Sequence, residues 1–292
     1  SKVVWGCGER PPTSAETIRA RQSRSSGPRA ECVLSIVRNV VLQVWTATVG
    51  RFLPRAQPLM ARRSYSIEVW SIAFFSLALA CVEGGVISVF AKQSFDGVVP
   101  LVTLNFAVAL LGATPEVANI ISFIWTQVSH GRSKVRFINA LQVGLLVCVG
   151  LLAVAPITEF GLWWTVALAM GARICWSGII TLRPTIWRLN YGRTYRASVV
   201  SKIWTGQVLV VAVVGGVIGL LLDRDPTAFR YIFPAAAVSA SMSVILLARL
   251  RLRRERGQLL AERAAAATVM KPWHGLVAVY QVLSRDPQFS RF

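Results

Sequence analysis

The chain has 292 residues, 54% of them hydrophobic before glycine is counted, and a net charge of +19. A soluble domain is about 45–50% apolar with glycine included, so the composition argues for an integral membrane protein. The charge alone would suit a nucleic-acid binder, but the Lys and Arg residues gather at the ends of uncharged apolar runs, which excludes that partner and fits loops held on one side of a lipid bilayer.

Residues 1–59 are rich in Arg, Ser and Pro and show no clear period. Cys32 to Val49 is fairly apolar but carries Arg38 and Asn39, which makes it a poor spanning segment. This stretch reads as a disordered or non-native extension, with Met60-Ala-Arg-Arg as a natural start. Its acid-poor composition also permits an organellar presequence.

Six apolar runs follow at about 70–91, 103–128, 137–155, 162–182, 203–222 and 231–250. Each has roughly the 20 residues a membrane-crossing helix needs. Lipid admits only helices or closed barrels, and these runs do not alternate as strands would, so all six are expected to be helices. Short linkers make successive helices antiparallel neighbours. Arg62 and Arg63, then Arg132, Lys134 and Arg136, then Arg183, Arg188, Arg193, Arg196 and Lys202, then the five arginines from Arg249 to Arg256 fall on one side. Only Lys92, Arg224 and Arg230 fall on the other. The biased side is expected in the cytoplasm, with both ends of the six-helix unit facing it and a plasma or inner membrane as the site. Trp70, Trp125 and Trp204 near that side, with Trp163, Trp164 and Tyr231 near the other, suit aromatic belts. Residues 251–292 form a basic linker, helical and alanine-rich to Ala267.

Three charges sit inside the runs: Glu83, Glu116 and Arg173. A charge at mid-membrane is costly and needs a partner or a watery cavity. Counted from the basic side at about 1.5 Å per residue, Glu116 and Arg173 differ in depth by roughly 4 Å, with Glu83 further from Arg173. Either acid is a candidate partner. Asn105, Gly112, Glu116, Asn119 and Thr126 share one helical face, the signature of a cavity wall or a helix contact. Ser177, one turn beyond Arg173, and Gln207 in the fifth run complete the candidate substrate- or ion-coupling set. Gly215, Gly216 and Gly219 suit close helix packing.

No nucleophile with a base and no cluster of ligands suggests an enzyme. No phosphate-binding glycine loop of Walker type appears. The five cysteines lack metal-ligand spacing, and His130 and His274 are far apart, so neither metal nor cofactor is expected.

The layout from Met60 to Phe292 resembles the first half of a major facilitator superfamily transporter: six helices, basic loops after the second and fourth, and a long basic linker after the sixth. The loop Trp125-Thr-Gln-Val-Ser-His-Gly-Arg-Ser-Lys-Val-Arg136 sits where that family carries its GxxxD-R/K-x-G-R/K motif. Gly131, Arg132 and Lys134 match its basic end, while its leading glycine and aspartate have no counterpart. Arg173 followed by Gly178 is similar to the family's fourth helix. The fifth-helix glycines are similar to the tail of an antiporter motif whose central Gly-Pro here reads Val211-Ala212. The resemblance implies secondary active transport of a small solute by alternating access, coupled to protons or sodium. It implies a missing C-terminal half as partner, and cytoplasmic gating loops carrying Gly131, Arg132, Lys134, Arg136, Arg183, Arg188 and Arg196. A non-transporting receptor or scaffold, or an inactive transporter fragment, stands as the alternative.

Overall fold

The computed structural model describes residues 58–253 and 255–268, leaving aside the side chains at 59, 60, 226, 263 and 265–268. The chain divides into two units, Ser1–Ala56 and Gln57–Phe292, and all described residues belong to the second. The expectations for the first 57 residues, and for 269–292, lie outside the described residues.

The described residues form α-helices and one short 3₁₀ turn: α1 (Leu59–Cys81), α2 (Gly84–Phe95), α3 (Leu101–Val128), α4 (Lys134–Leu152), α5 (Glu159–Asn190), α6 (Arg193–Arg224), α7 (Phe229–Ala248) and α8 (Glu255–Thr268). Among the described residues six stretches are long and apolar enough to cross a membrane, with α1 and α2 together making the first. Most extend beyond the apolar runs. The first covers Ala61–Phe95 rather than 70–91, the fourth Glu159–Asn190 rather than 162–182, and the fifth Arg193–Arg224 rather than 203–222. The reason is that helices continue past the last apolar residue wherever a neighbour buries their next turn. Ala61, Tyr65 and Ile72 of α1 pack with Trp187, Tyr191, Val199 and Ile203 in a second core at the Arg-rich end.

The packing follows apolar stripes. On α3 the buried residues are Leu104, Ala107, Leu111, Thr114 and Ala118, a spacing of three and four that turns one side inward. The most extensive pairings are α1 with α7, α4 with α5, α3 with α5, α4 with α7, and α1 with α6. Numbering the spans one to six, exchange of one with four, two with five and three with six maps these pairings onto themselves. Three spans per repeat is an odd number, so two such repeats cross a membrane in opposite senses.

The ends are fastened by polar contacts. At the Arg-rich end the Arg253 N–H donates to Asn190 Oδ1 at 3.3 Å. At the opposite end Gln93 donates to Asp223 at 2.5 Å. Trp125 and Trp204 do not stand free at an interface. Trp125 Nε1 donates to the Ile174 carbonyl at 3.1 Å, and the Trp204 ring meets Trp176 and Trp187 at 6.3 and 6.4 Å between centroids.

Candidate functional site

The first span is broken. Val82 and Glu83 leave the helix, with Glu83 in extended backbone before α2 resumes at Gly84. Gly84 and Gly85 each disfavour helix by about 1 kcal/mol relative to alanine, which lowers the cost of the interruption. No atom lies within 4 Å of where a Cβ would stand on either, so the break opens onto free space.

Glu83 occupies the N-cap of α2, yet its side chain makes no cap hydrogen bond. It reaches across to α5, where Arg173 Nη2 donates to Glu83 Oε1 at 2.9 Å. The arginine side chain is 5% exposed and the glutamate 44%. Arg173 Nε is buried with no acceptor among the described residues. The site therefore gathers a guanidinium with unspent donors, a half-open carboxylate, and the first N–H groups of α2, which have no intrahelical acceptor. Ser177, one turn along α5, is buried and donates to the Ile174 carbonyl at 3.1 Å.

Glu116 takes no part in this pair. It lies two residues from both Thr114 and Ala118, on the far side of α3 from the stripe that packs inward. Asn105, Gly112, Glu116 and Asn119 are all exposed along that outer face. The depth argument that favoured Glu116 ignored which way the helix turns. Gln207, by contrast, is 4% exposed, and its Oε1 has no partner among the described residues.

A second polar cluster lies at the Arg-rich end, and its acid was missed because it falls before the apolar run. Glu68 is buried and accepts from Trp187 Nε1 at 2.7 Å and from the Tyr191 hydroxyl at 2.9 Å. Burial and the facing Glu68 carboxylate raise the Tyr191 hydroxyl above its ordinary range. Glu68 and Arg183 share the wall of a cavity of about 10 Å³, room for about one water molecule. Arg183 was expected in a loop but is buried within α5, its guanidinium 5.6 Å from the Trp176 ring centre. Its Nη1 has no acceptor among the described residues. Ala61, Tyr65, Glu68 and Ile72 recur at helical spacing, the signal that would have placed Glu68 on the buried stripe.

The remaining basic residues divide. Arg188 is exposed. Arg196 donates to the Tyr191 and Arg188 carbonyls at 3.1 and 3.3 Å, covering the end of α5 as a C-terminal cation does. Lys134 is buried, and its Nζ donates to the Ser129 carbonyl at 2.6 Å and to Glu262 of α8 at 2.7 Å. The Gly131 N–H reaches the same carboxylate at 2.8 Å, and His130 Nε2 sits 2.9 Å from the Glu262 carbonyl. Gly131 has φ 69°, a left-handed conformation that glycine adopts without strain. Burial pushes the Glu262 carboxyl up, but hydrogen bonds from Lys134, Gly131 and Gln258 and the Lys134 charge outweigh it and hold it below the ordinary glutamate range. Arg132 and Arg136 stay exposed beside this clamp.

Of the three glycines assigned to packing, only Gly215 meets a neighbour, with Val86 Cγ2 3.3 Å from its Cβ position. Gly216 and Gly219 face open space. Packing requires glycine elsewhere: at Gly178 a Cβ would stand 2.6 Å from Leu141 Cδ1 and 3.0 Å from the Trp125 ring, and at Gly161 it would run into the Pro156 carbonyl.

The chain matches no protein-family model, no curated protein and no solved structure.

Proposed function

We propose that this chain is the six-helix half of a secondary active transporter, similar in plan to the major facilitator superfamily, and that it moves a small anionic solute by alternating access. The carrying observation is the Arg173–Glu83 ion pair at 2.9 Å set in the break of the first span. Discontinuous helices whose N-termini point at anionic groups are how many transporters hold substrate near the membrane midplane. A solute carboxylate or phosphate takes the place of Glu83 on Arg173, with the α2 N–H groups as further donors. Protonation of Glu83 releases the arginine, which couples solute to protons, and sodium in place of the proton serves the same end.

Two further observations support the reading. The five most extensive span pairings are symmetric under exchange of the first three spans with the last three, and midplane sites in folds built from two such repeats lie between them. The spans α3 and α6 are the least buried, which suits a second six-helix unit docking on them, with the polar face of Asn105, Glu116 and Asn119 turned to a shared cavity. The excess of Lys and Arg at one end supports a cytoplasmic orientation for that end and a plasma or inner membrane as the location. The ion pair and the free N–H groups at the helix break suit binding of a solute, so the protein is proposed to be a carrier.

A thermal-stability screen of the purified chain against monocarboxylates, dicarboxylates and phosphate esters tests this. One class is expected to raise the melting temperature of the wild type and to have no effect on Arg173→Gln. Stabilisation that survives Arg173→Gln would remove the assigned site. No stabilisation by any class would favour a non-transporting receptor or scaffold.

A further inference from the structure

Beside the α8 clamp lies a groove of about 620 Å³. Arg132, Arg136 and Arg256 line it. All three are exposed, and none makes an ion pair among the described residues. Like charges held together repel, so the arrangement calls for an anion. The groove's one acid, Glu255, already accepts from the Ser133 hydroxyl.

The floor is apolar. Phe137 and Ala140 of α4 and Leu259 of α8 line it. Below it an exposed apolar stripe continues along α4 through Val143 at 47%, Val147 at 53% and Leu151 at 39% exposure. Phe137, Ala140, Val143, Val147 and Leu151 are spaced by three and four, so they form one line down the outer face of the helix. A basic rim above such a line matches a lipid with a charged headgroup and a long acyl chain. A soluble phosphate would use only the rim.

We propose that this groove binds one glycerophospholipid with an anionic headgroup, its phosphate on Arg132, Arg136 and Arg256 and one acyl chain along α4. Basic pockets beside spanning helices bind anionic headgroups in this way. Because α4 and α8 each supply a wall, the lipid tethers the linker helix to the bundle. The proposal needs only that the six spans cross a bilayer, and does not rest on transport.

Native mass spectrometry of the delipidated chain with added phosphatidylglycerol, phosphatidylcholine or glycerol phosphate tests it. One phosphatidylglycerol is expected to remain bound in preference to phosphatidylcholine. The triple variant R132Q/R136Q/R256Q should weaken it at least tenfold, and R193Q/R230Q should leave it unchanged. Should the triple variant misfold, salt titration of the wild type decides, since phosphatidylglycerol retention must fall as ionic strength rises. Equal retention of both lipids, loss-free binding in the folded triple variant, or salt-insensitive retention would overturn the proposal. Glycerol phosphate binding as tightly as the lipid would show a soluble-anion site and overturn it too.

Discussion

Arg173 and Glu83, ninety positions apart in sequence, meet at 2.9 Å where the first span is interrupted. The pair is asymmetric, the arginine buried and the acid half open. Removing the acid leaves a cation inside the bundle with fewer acceptors. Glu83→Gln is expected to destabilise the protein by about 1–2 kcal/mol, the lower part of the range for a charged hydrogen bond because the acid is solvated. Arg173→Gln in the Glu83→Gln background should cost less than Arg173→Gln alone. Additive losses in unfolding measurements in detergent would show that the two groups are not coupled.

Gly178 packs where no side chain fits. Gly178→Leu should lower stability by about 1–3 kcal/mol, the cost of overpacking, and Gly178→Ala by less. Gly219→Ala, facing open space, should be neutral or slightly stabilising through helix propensity. Thermal unfolding of the three variants side by side checks the ranking, and equal effects at 178 and 219 would contradict it.

Tyr191 donates to a buried carboxylate. Tyr191→Phe removes one of the two donors on Glu68 and is expected to cost about 1.5–3 kcal/mol. Glu68→Gln keeps the volume but places an amide against Trp187 Nε1 and the Tyr191 hydroxyl, so one donor goes unmatched. Unfolding midpoints unchanged in both variants would mean the cluster carries no stability.

The helical class and the six spans were legible because apolar runs of this length have few other uses. The ends were not. Turns such as 61–69 and 183–190 are polar in composition, and become helix through packing of Ala61, Tyr65, Trp187 and Tyr191. Among the coupling candidates, Glu83 and Arg173 came from a charge-in-lipid argument that ignores orientation. It served Arg173, which lies on the buried side of α5. It could not show that Glu116 lies on the outer side of α3. Glycine spacing was a weak guide, since a close approach depends on the neighbour's side chain. The α8 clamp was beyond reach because Glu262 is distant from Lys134 in sequence and sits in an unremarkable alanine-rich stretch.

Docking of α8 should depend on pH. The Glu262 carboxyl is held below the ordinary glutamate range, so the clamp's contribution is complete above that range and is lost as pH falls through the lower, docked value. Hydrogen exchange along 255–268 is expected to stay protected from neutral pH down to about pH 4 and to speed up below it. Glu262→Gln should show weak protection at every pH. Protection unchanged by that variant would assign docking to other contacts.

The most direct measurement is gradient-driven uptake in proteoliposomes holding the protein together with any second six-helix unit encoded with it. The solute is the carboxylate or phosphate ester that stabilises the wild type. Arg173→Gln is expected to abolish uptake, and Glu83→Gln to abolish accumulation against a proton or sodium gradient while sparing solute exchange. Accumulation that persists in both variants would contradict the coupling role assigned to the pair.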